Sequence, residues 1–187
     1  MRSITWIGAL LCSALAASAQ DKATAPKPQK EHEALKAFEG RWDVKCKWMF
    51  PGRTPEENTA TQASRLAYGG FWLQCDFRGE FDKKSFHWMW MTGFDPSTKK
   101  YVAVGFGSDS PNPFKVEGEA DSSFKKWTLK GECMDPSTGK MAPHKVVWEF
   151  SDKDHYTERV FMTGDDGKET LVGEFTYSRR GAKAESK

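Results

Sequence analysis

The residues best able to do chemistry in this chain are its four histidines, and their spacing argues against a metal site. His32, His87, His144 and His155 are widely separated, without the close pairing that puts two metal ligands on one element. The segment from His32 reads HEALK, like the start of a zinc-protease helix, but Lys36 stands where the second histidine would be. We therefore predict no metal site, and expect each histidine at the surface or hydrogen-bonded to a neighbour.

The glycine-rich stretch Gly105–Ser108 is a second place where chemistry could be sought. Its sequence, GFGS, is neither a nucleophile elbow nor a phosphate-binding loop, and no helix is predicted after it. No catalytic residue is predicted anywhere in the chain, and we expect a protein that is not an enzyme.

His87 is the histidine in aromatic company, between Phe86 and Trp88. Strand alternation places its side chain on the face opposite the tryptophans. We expect no cofactor.

Aromatic side chains form the strongest pattern, since seven tryptophans fall between residues 42 and 148. A buried aromatic removes about 200 Å² from water, worth roughly 5 kcal/mol before opposing terms. Such residues either fill a core or line a pocket, and the sequence leaves both open. The aromatic residues expected to line a pocket are Trp48, Phe77, Trp88, Trp90, Phe114, Trp127, Trp148 and Phe175.

Two charged residues are candidates for the polar end of such a pocket. Glu158 and Arg159 are adjacent within a predicted strand, so one of them faces inward. Arg65 lies among small residues of another strand. An inward Glu158–Arg65 pair would need mutual hydrogen bonds to offset its burial, and it could orient a ligand's polar head. Solvent-facing charges are the alternative.

Strands are needed to position these side chains, and strand signals recur regularly after Gly40. The six-residue turns at Asp95 and Asp135, DPSTKK and DPSTGK, are short, so consecutive strands must be antiparallel neighbours. A long meander loses its two open edges only by closing into a barrel. About ten strands are predicted: Arg41–Phe50, Thr59–Leu66, Phe71–Phe81, Ser85–Phe94, Lys100–Phe106, Phe114–Ala120, Lys126–Cys133, Lys145–Phe150, Tyr156–Met162 and Thr170–Ser178.

A short helix and two loops complete the predicted domain. Leu35 and Phe38 share one helical face in His32–Glu39, and we expect this turn to plug one end of the barrel. The proline-rich stretch Ser108–Pro113 is expected as a loop at the barrel mouth. The strand around Trp88 and Trp90 is apolar on both faces, which leaves a homodimer contact open as one explanation.

Several short fragments follow one another in a fixed order along the chain: Gly40-Arg41-Trp42, YGGFWL from Tyr68, GFD from Gly93, MTG from Met162 and the late Tyr177-x-Arg179. Together they resemble a bacterial domain-of-unknown-function family of lipocalin-like, or calycin, barrels. The resemblance implies an all-β fold, an antiparallel up-and-down lipocalin-like β-barrel with a short N-terminal helix. It also implies that Gly40, Trp42 and Arg179 (or Arg180) close the barrel, with the arginine packed on the tryptophan. It implies no activity. Because some barrels of the calycin group hold haem through one histidine, the resemblance leaves a haem-binding barrel as an alternative, with His87 as the histidine in aromatic company. Where the family has Trp-x-Asp-Ser, this chain reads FGSDS from Phe106.

The ends of the chain are predicted to lie outside the barrel. Residues 1–19 read as a signal peptide ending at Ala17-Ser18-Ala19, residues 20–31 as a disordered linker, 32–180 as the barrel and 181–187 as a disordered tail. This predicts a periplasmic or secreted protein. The net charge of +2 is too small to indicate nucleic acid, and no apolar run is long enough to span a membrane.

Three cysteines follow the signal: Cys46, Cys75 and Cys133. We expect free, buried thiols, because each falls on the inward face of its strand and their number is odd.

The sequence thus predicts an exported lipocalin-like protein that binds a small apolar or amphipathic molecule. The alternatives are a structural or protein-interaction barrel with a filled core and the haem-binding barrel.

Overall fold

The computed structural model of the chain describes residues 25–135 and 138–181. The expected signal peptide, residues 20–24 of the expected linker and residues 182–187 of the expected tail lie outside the described residues. Helix α1, Lys30–Ala34, begins inside the expected linker, so the folded part of the chain starts slightly earlier than predicted. Within the described residues, no helix has the length and apolar character needed to cross a bilayer.

Ten antiparallel strands form one closed barrel, as predicted, in which each strand pairs with its sequence neighbours and β1 also pairs with β10. Closure joins Trp42 to Arg179 and Trp48 to Gly173 as Cα partners. The strands are β1 Gly40–Trp48, β2 Glu56–Ala67, β3 Trp72–Phe81, β4 Lys84–Asp95, β5 Lys100–Gly107, β6 Ser110–Ala120, β7 Lys126–Met134, β8 Met141–Phe150, β9 His155–Thr163 and β10 Glu169–Arg179.

The first strand shows why this sequence folds as a barrel wall. Trp42, Val44, Cys46 and Trp48 are buried, and the charged residues between them are exposed. Because side chains of a strand alternate between its two faces, this pattern commits one face to the interior and the other to solvent.

Three strands begin three or four residues earlier than predicted, at Glu56, Ser110 and Met141. In β6, the expected loop Ser108–Pro113 is mostly strand. Pro111 and Pro113 are tolerated there because the β5–β6 register shifts between Gly105 and Gly107, so the ladder is already interrupted. This stretch still borders the barrel mouth, as expected.

The N-terminal turn closes one end of the barrel, as predicted. After α1 the chain forms a 3₁₀ turn, Leu35–Phe38, in which both named residues are buried. The Phe38 ring packs edge-on against Trp127, Trp148 and Tyr156, with ring centroids 4.9 to 5.6 Å apart. This half of the barrel is therefore filled with side chains.

An arginine clamp fastens the closed end. The Arg179 guanidinium lies 4.2 Å from the centre of the Trp42 ring. It also donates hydrogen bonds to the carbonyl oxygens of Ala37 and Glu39 and to the Asp154 carboxylate. Gly40 has φ +120°, and a Cβ there would come within 2.7 Å of the Arg179 Nη1 atom. Gly40, Trp42 and Arg179, the residues expected to close the barrel, therefore lie together at this end, and Arg179 rather than Arg180 covers the tryptophan.

Cys46, Cys75 and Cys133 are free thiols, as expected. Cys46 and Cys75 are buried, whereas Cys133 is only partly buried because it faces a cavity in the other half of the barrel.

Candidate functional site

The half of the barrel opposite the plug encloses a cavity of about 470 Å³. The interior is therefore filled at one end and open at the other. The sequence left a filled core and a lined pocket as alternatives, and the barrel contains one of each. A volume of roughly 300–1,000 Å³ is typical of small-molecule sites.

Aromatic rings from several strands form the cavity walls. On β4, Trp88 and Trp90 face inward, and Phe77 of β3 stacks on Trp88 with ring centroids 6.0 Å apart. Across the barrel, Trp48 of β1 meets Phe175 of β10 edge-on at 4.9 Å. Alternation within each strand delivers these rings to one space, and closure between β1 and β10 brings the last pair together.

The rim is built around the tight connection between β5 and β6. The Trp88 indole Nε1 donates a 2.6 Å hydrogen bond to the Asp109 carboxylate, and the Ser108 backbone N–H donates to the His87 carbonyl oxygen. Asp109 and Pro111 border the cavity here. The sequence FGSDS, which stands where the resembled family has Trp-x-Asp-Ser, therefore still places an aspartate at the cavity mouth.

Glu158 is the polar group at the cavity floor. Its carboxylate accepts a 2.8 Å hydrogen bond from the Tyr177 hydroxyl. Desolvation raises the pKa of Glu158 to about 7, although hydrogen bonds from Tyr177 and Trp148 oppose the shift by favouring the charged form. Its neighbour Arg159 lies on the outer face and pairs with Glu149 and Glu174, so Glu158 is the inward member of the adjacent pair.

His144 is a cavity residue that the sequence reasoning missed. It borders the cavity, and its Nδ1 atom is buried without a hydrogen-bond partner. Burial lowers the pKa of His144 to about 4, so the ring is neutral at pH 7. The expectation of a surface or hydrogen-bonded ring is wrong here, because β8 begins at Met141 and not at Lys145. Extending the alternation of Val146 and Trp148 backward by one step would have found it.

Eight of the ten expected pocket residues line the cavity. They are Trp48, Phe77, Trp88, Trp90, Phe114, Trp148, Phe175 and Glu158.

Trp127 and Arg65 do not line it. Trp127 is fully buried at the plugged end, beside Phe38 and Phe150. Arg65 is exposed on the outer face and donates a 3.0 Å hydrogen bond to Gln74. The expected Glu158–Arg65 pair does not form, because the inward positions of β2 are taken by its buried neighbours, among them Ser64.

The remaining histidines lie away from the cavity. His87 is on the outer face, as alternation predicts, with its Nε2 atom 3.0 Å from the Asp76 carboxylate. His155 contacts Asp152, and His32 is buried between Phe71 and Phe94. Across residues 25–135 and 138–181, no group of three or more potential ligands is placed to hold a metal ion.

Two solved structures have a similar fold. The crystal structure of Rv2717c from M. tuberculosis matches with a TM-score of 0.63 at 13% identity, covering 81% of this chain and 98% of that chain. The S-type phycobiliprotein lyase CPES from Guillardia theta matches with a TM-score of 0.54 at 12% identity, covering 83% of this chain and 100% of that chain. At these identities the likeness shows the fold alone.

Sequence comparison identifies a family without a known function. The model of a family described as "Protein of unknown function (DUF1579)" matches residues 27–179. No functionally curated protein matches the chain.

Proposed function

We propose that this chain, which belongs to the DUF1579 family of lipocalin-like barrels, binds a small apolar or amphipathic molecule inside its barrel. The observation that carries the proposal is the 470 Å³ cavity, with aromatic walls and one carboxyl group at its floor. Apolar walls with a few convergent polar groups are characteristic of ligand sites. In a purely structural barrel, side chains would fill both ends, as they do around Phe38.

The cavity walls allow a direct test with matched variants. Ala103 and Val104 are neighbours on β5, but Ala103 borders the cavity and Val104 is exposed. We expect a neutral apolar dye such as Nile red to bind saturably and quench tryptophan fluorescence. Ala103→Leu fills part of the cavity and should weaken binding several-fold, whereas Val104→Leu should leave it unchanged.

Two results would contradict the proposal. One is the absence of saturable quenching with a series of apolar probes. The other is equal binding by both variants, which would place the dye on the outside of the barrel. Circular dichroism spectra of the two variants check that each keeps the fold.

The proposal includes export and the absence of catalysis. The apolar run that precedes Ala17-Ser18-Ala19 supports a periplasmic or secreted protein. Cell fractionation with mass spectrometry should find the chain beginning near Gln20, and an uncleaved cytoplasmic chain would refute export. The haem alternative is separable by absorption spectroscopy, since a Soret band in the purified protein would replace the present proposal with haem binding.

The homodimer remains a separate prediction. Met89 and Met91 lie on the outer face beside Phe106 and Val104, which are exposed. Sedimentation velocity of the wild type and of Phe106→Ser would test it. A monomer at all concentrations for the wild type would exclude a dimer at this face.

A further inference from the structure

The charged groups that border the cavity are of one sign. The described lining residues include two carboxylates, Glu158 at the floor and Asp109 at the rim, and no lysine or arginine. The other titratable groups there are uncharged at neutral pH, because burial lowers the pKa of His144 to about 4 and raises that of Cys133 to about 11. The cavity is therefore acidic and holds no cation of its own.

Among the residues that the structure describes, Glu158 has hydrogen-bond donors around it but no counter-ion. Tyr177 donates to it at 2.8 Å, and Arg159, the adjacent cation in sequence, is turned to the outer face. Four tyrosine and cysteine side chains interact electrostatically with Glu158, and burial raises the pKa of each, so none of the four carries charge near pH 7. They are Tyr156 on the same strand, Tyr177 on β10, Cys46 on β1 and Cys75 on β3.

We propose that the ligand of this cavity is a cationic amphiphile, an apolar body with one amine head that pairs with the carboxylate of Glu158. This inference rests on the proposed binding function and adds the charge of the ligand to it.

The energetics favour a cation over the other head groups. The electrostatic attraction between a carboxylate and a cation is stronger at a desolvated site than at an exposed one, because less water is present to screen the two charges. An anionic amphiphile such as a fatty acid would bring like charge toward Glu158 and would meet no lysine or arginine among the described cavity residues. Asp109 at the rim adds attraction for a cation on its way in.

The pairing implies a defined pH dependence. Desolvation raises the pKa of Glu158 to about 7, so its ionised fraction grows between about pH 6 and pH 8. An alkylamine remains protonated in this range, because its pKa is close to that of lysine, about 10.4. Affinity for an amine should therefore rise with pH through neutrality. Affinity for a neutral alcohol with the same body should stay constant.

The experiment compares decylamine, 1-decanol and decanoate, which share a body and differ in the head group. Titration calorimetry of the purified protein at about pH 8 should show the amine binding about tenfold more tightly than the alcohol, as expected of a charge-assisted hydrogen bond. Decanoate should be the weakest of the three. Glu158→Gln should bring the amine to within about threefold of the alcohol. Glu174→Gln, which changes an outer-face carboxylate paired with Arg159, should keep the preference.

The possible outcomes separate this inference from the binding function. Equal affinities for amine and alcohol in the wild type overturn the inference and leave the binding function standing. A preference that survives Glu158→Gln but is lost in Asp109→Asn also overturns it, since the pairing would then be at the rim. If none of the three probes binds at about pH 8, the binding function itself fails. The wild-type comparison decides the matter alone if the glutamine variant does not fold.

Discussion

Glu158 shows how much a single residue's environment depends on its place in the barrel. Glu158 and Arg159 are adjacent in sequence, yet the Glu158 carboxylate faces an apolar cavity, whereas the Arg159 side chain lies on the outer face and pairs with two glutamates there. Desolvation without a counter-ion raises the pKa of Glu158 to about 7, from 4.5 in an unperturbed glutamate. The folded protein therefore binds a proton in a pH range where the unfolded chain does not.

This proton uptake makes stability depend on pH. Between about pH 4.5 and 7 the folded state holds a proton that the unfolded state has lost, so the free energy of unfolding falls as the pH rises through this window. The contribution of Glu158 is on the order of 3 kcal/mol, fully present at the acid end and lost above pH 7. We expect Glu158→Gln to match the wild type near pH 5 and to be the more stable protein near pH 8.

Urea unfolding of both proteins at the two pH values measures this difference. Taking the difference between wild type and variant removes the effect of other titrating groups, such as His144, whose lowered pKa acts in the opposite direction. Glu174→Gln serves as the control, with a difference that should not change across the window. A Glu158→Gln difference that is the same at both pH values would show that the carboxyl titrates normally.

At the scale of elements, the first and last strands and the N-terminal turn are held together by one side chain. Arg179 of β10 covers the Trp42 ring of β1, and the Trp42 indole in turn donates a 2.9 Å hydrogen bond to the Phe38 carbonyl oxygen. The guanidinium also reaches Ala37 and Asp154, so one planar fork links three segments.

Arg179→Lys should therefore cost stability even though it keeps the charge. A lysine ammonium cannot reproduce the fork of hydrogen bonds together with the contact over the indole ring. We expect a loss of about 2 kcal/mol in the free energy of unfolding, measured by urea denaturation. Arg180→Lys is the matched control, because the Arg180 side chain is exposed and its described ion pair is with Asp43. The urea midpoint of this variant should barely change. Equal midpoints for the two variants would contradict a special role for Arg179.

At the scale of the whole molecule, the fold depends on the pairing of β1 with β10. Without β10 the edges of β1 and β9 would both be open, and each would present unpaired N–H and C=O groups. Local hairpins alone supply no substitute, since the cavity walls come from strands far apart in the sequence.

A chain that ends at Lys168 should therefore fail to fold into a soluble monomer. We expect the shortened chain either to aggregate, as detected by size-exclusion chromatography, or to lose the native circular dichroism spectrum. The control is a chain that ends at Gly181, the last residue described, which retains all ten strands and the Arg179 clamp. A monomeric, native-like product from the shorter chain would show that closure is not required for stability.

The alternation of residues such as Trp42, Val44, Cys46 and Trp48 was enough, without any structure, to predict the strands and most of the inward face, and the short turns were enough to predict their antiparallel order. The prediction that Arg65 faces inward was wrong, because the small and polar residues around it in β2 do not indicate which face of the strand is buried. Alternation also assigns a side chain to a face without giving its height along the barrel axis.

That height was decided only by the tertiary structure. The register between the strands places Trp127 opposite Trp148, where both rings meet Phe38 of the plug, and it places Trp88 at the rim beside Asp109, although all three are inward tryptophans. The same register leaves Glu158 at the floor of the open half with Tyr177 and no cation. Whether a barrel is filled or hollow depends on the summed volume of all side chains at one level, and these come from strands that only closure brings together.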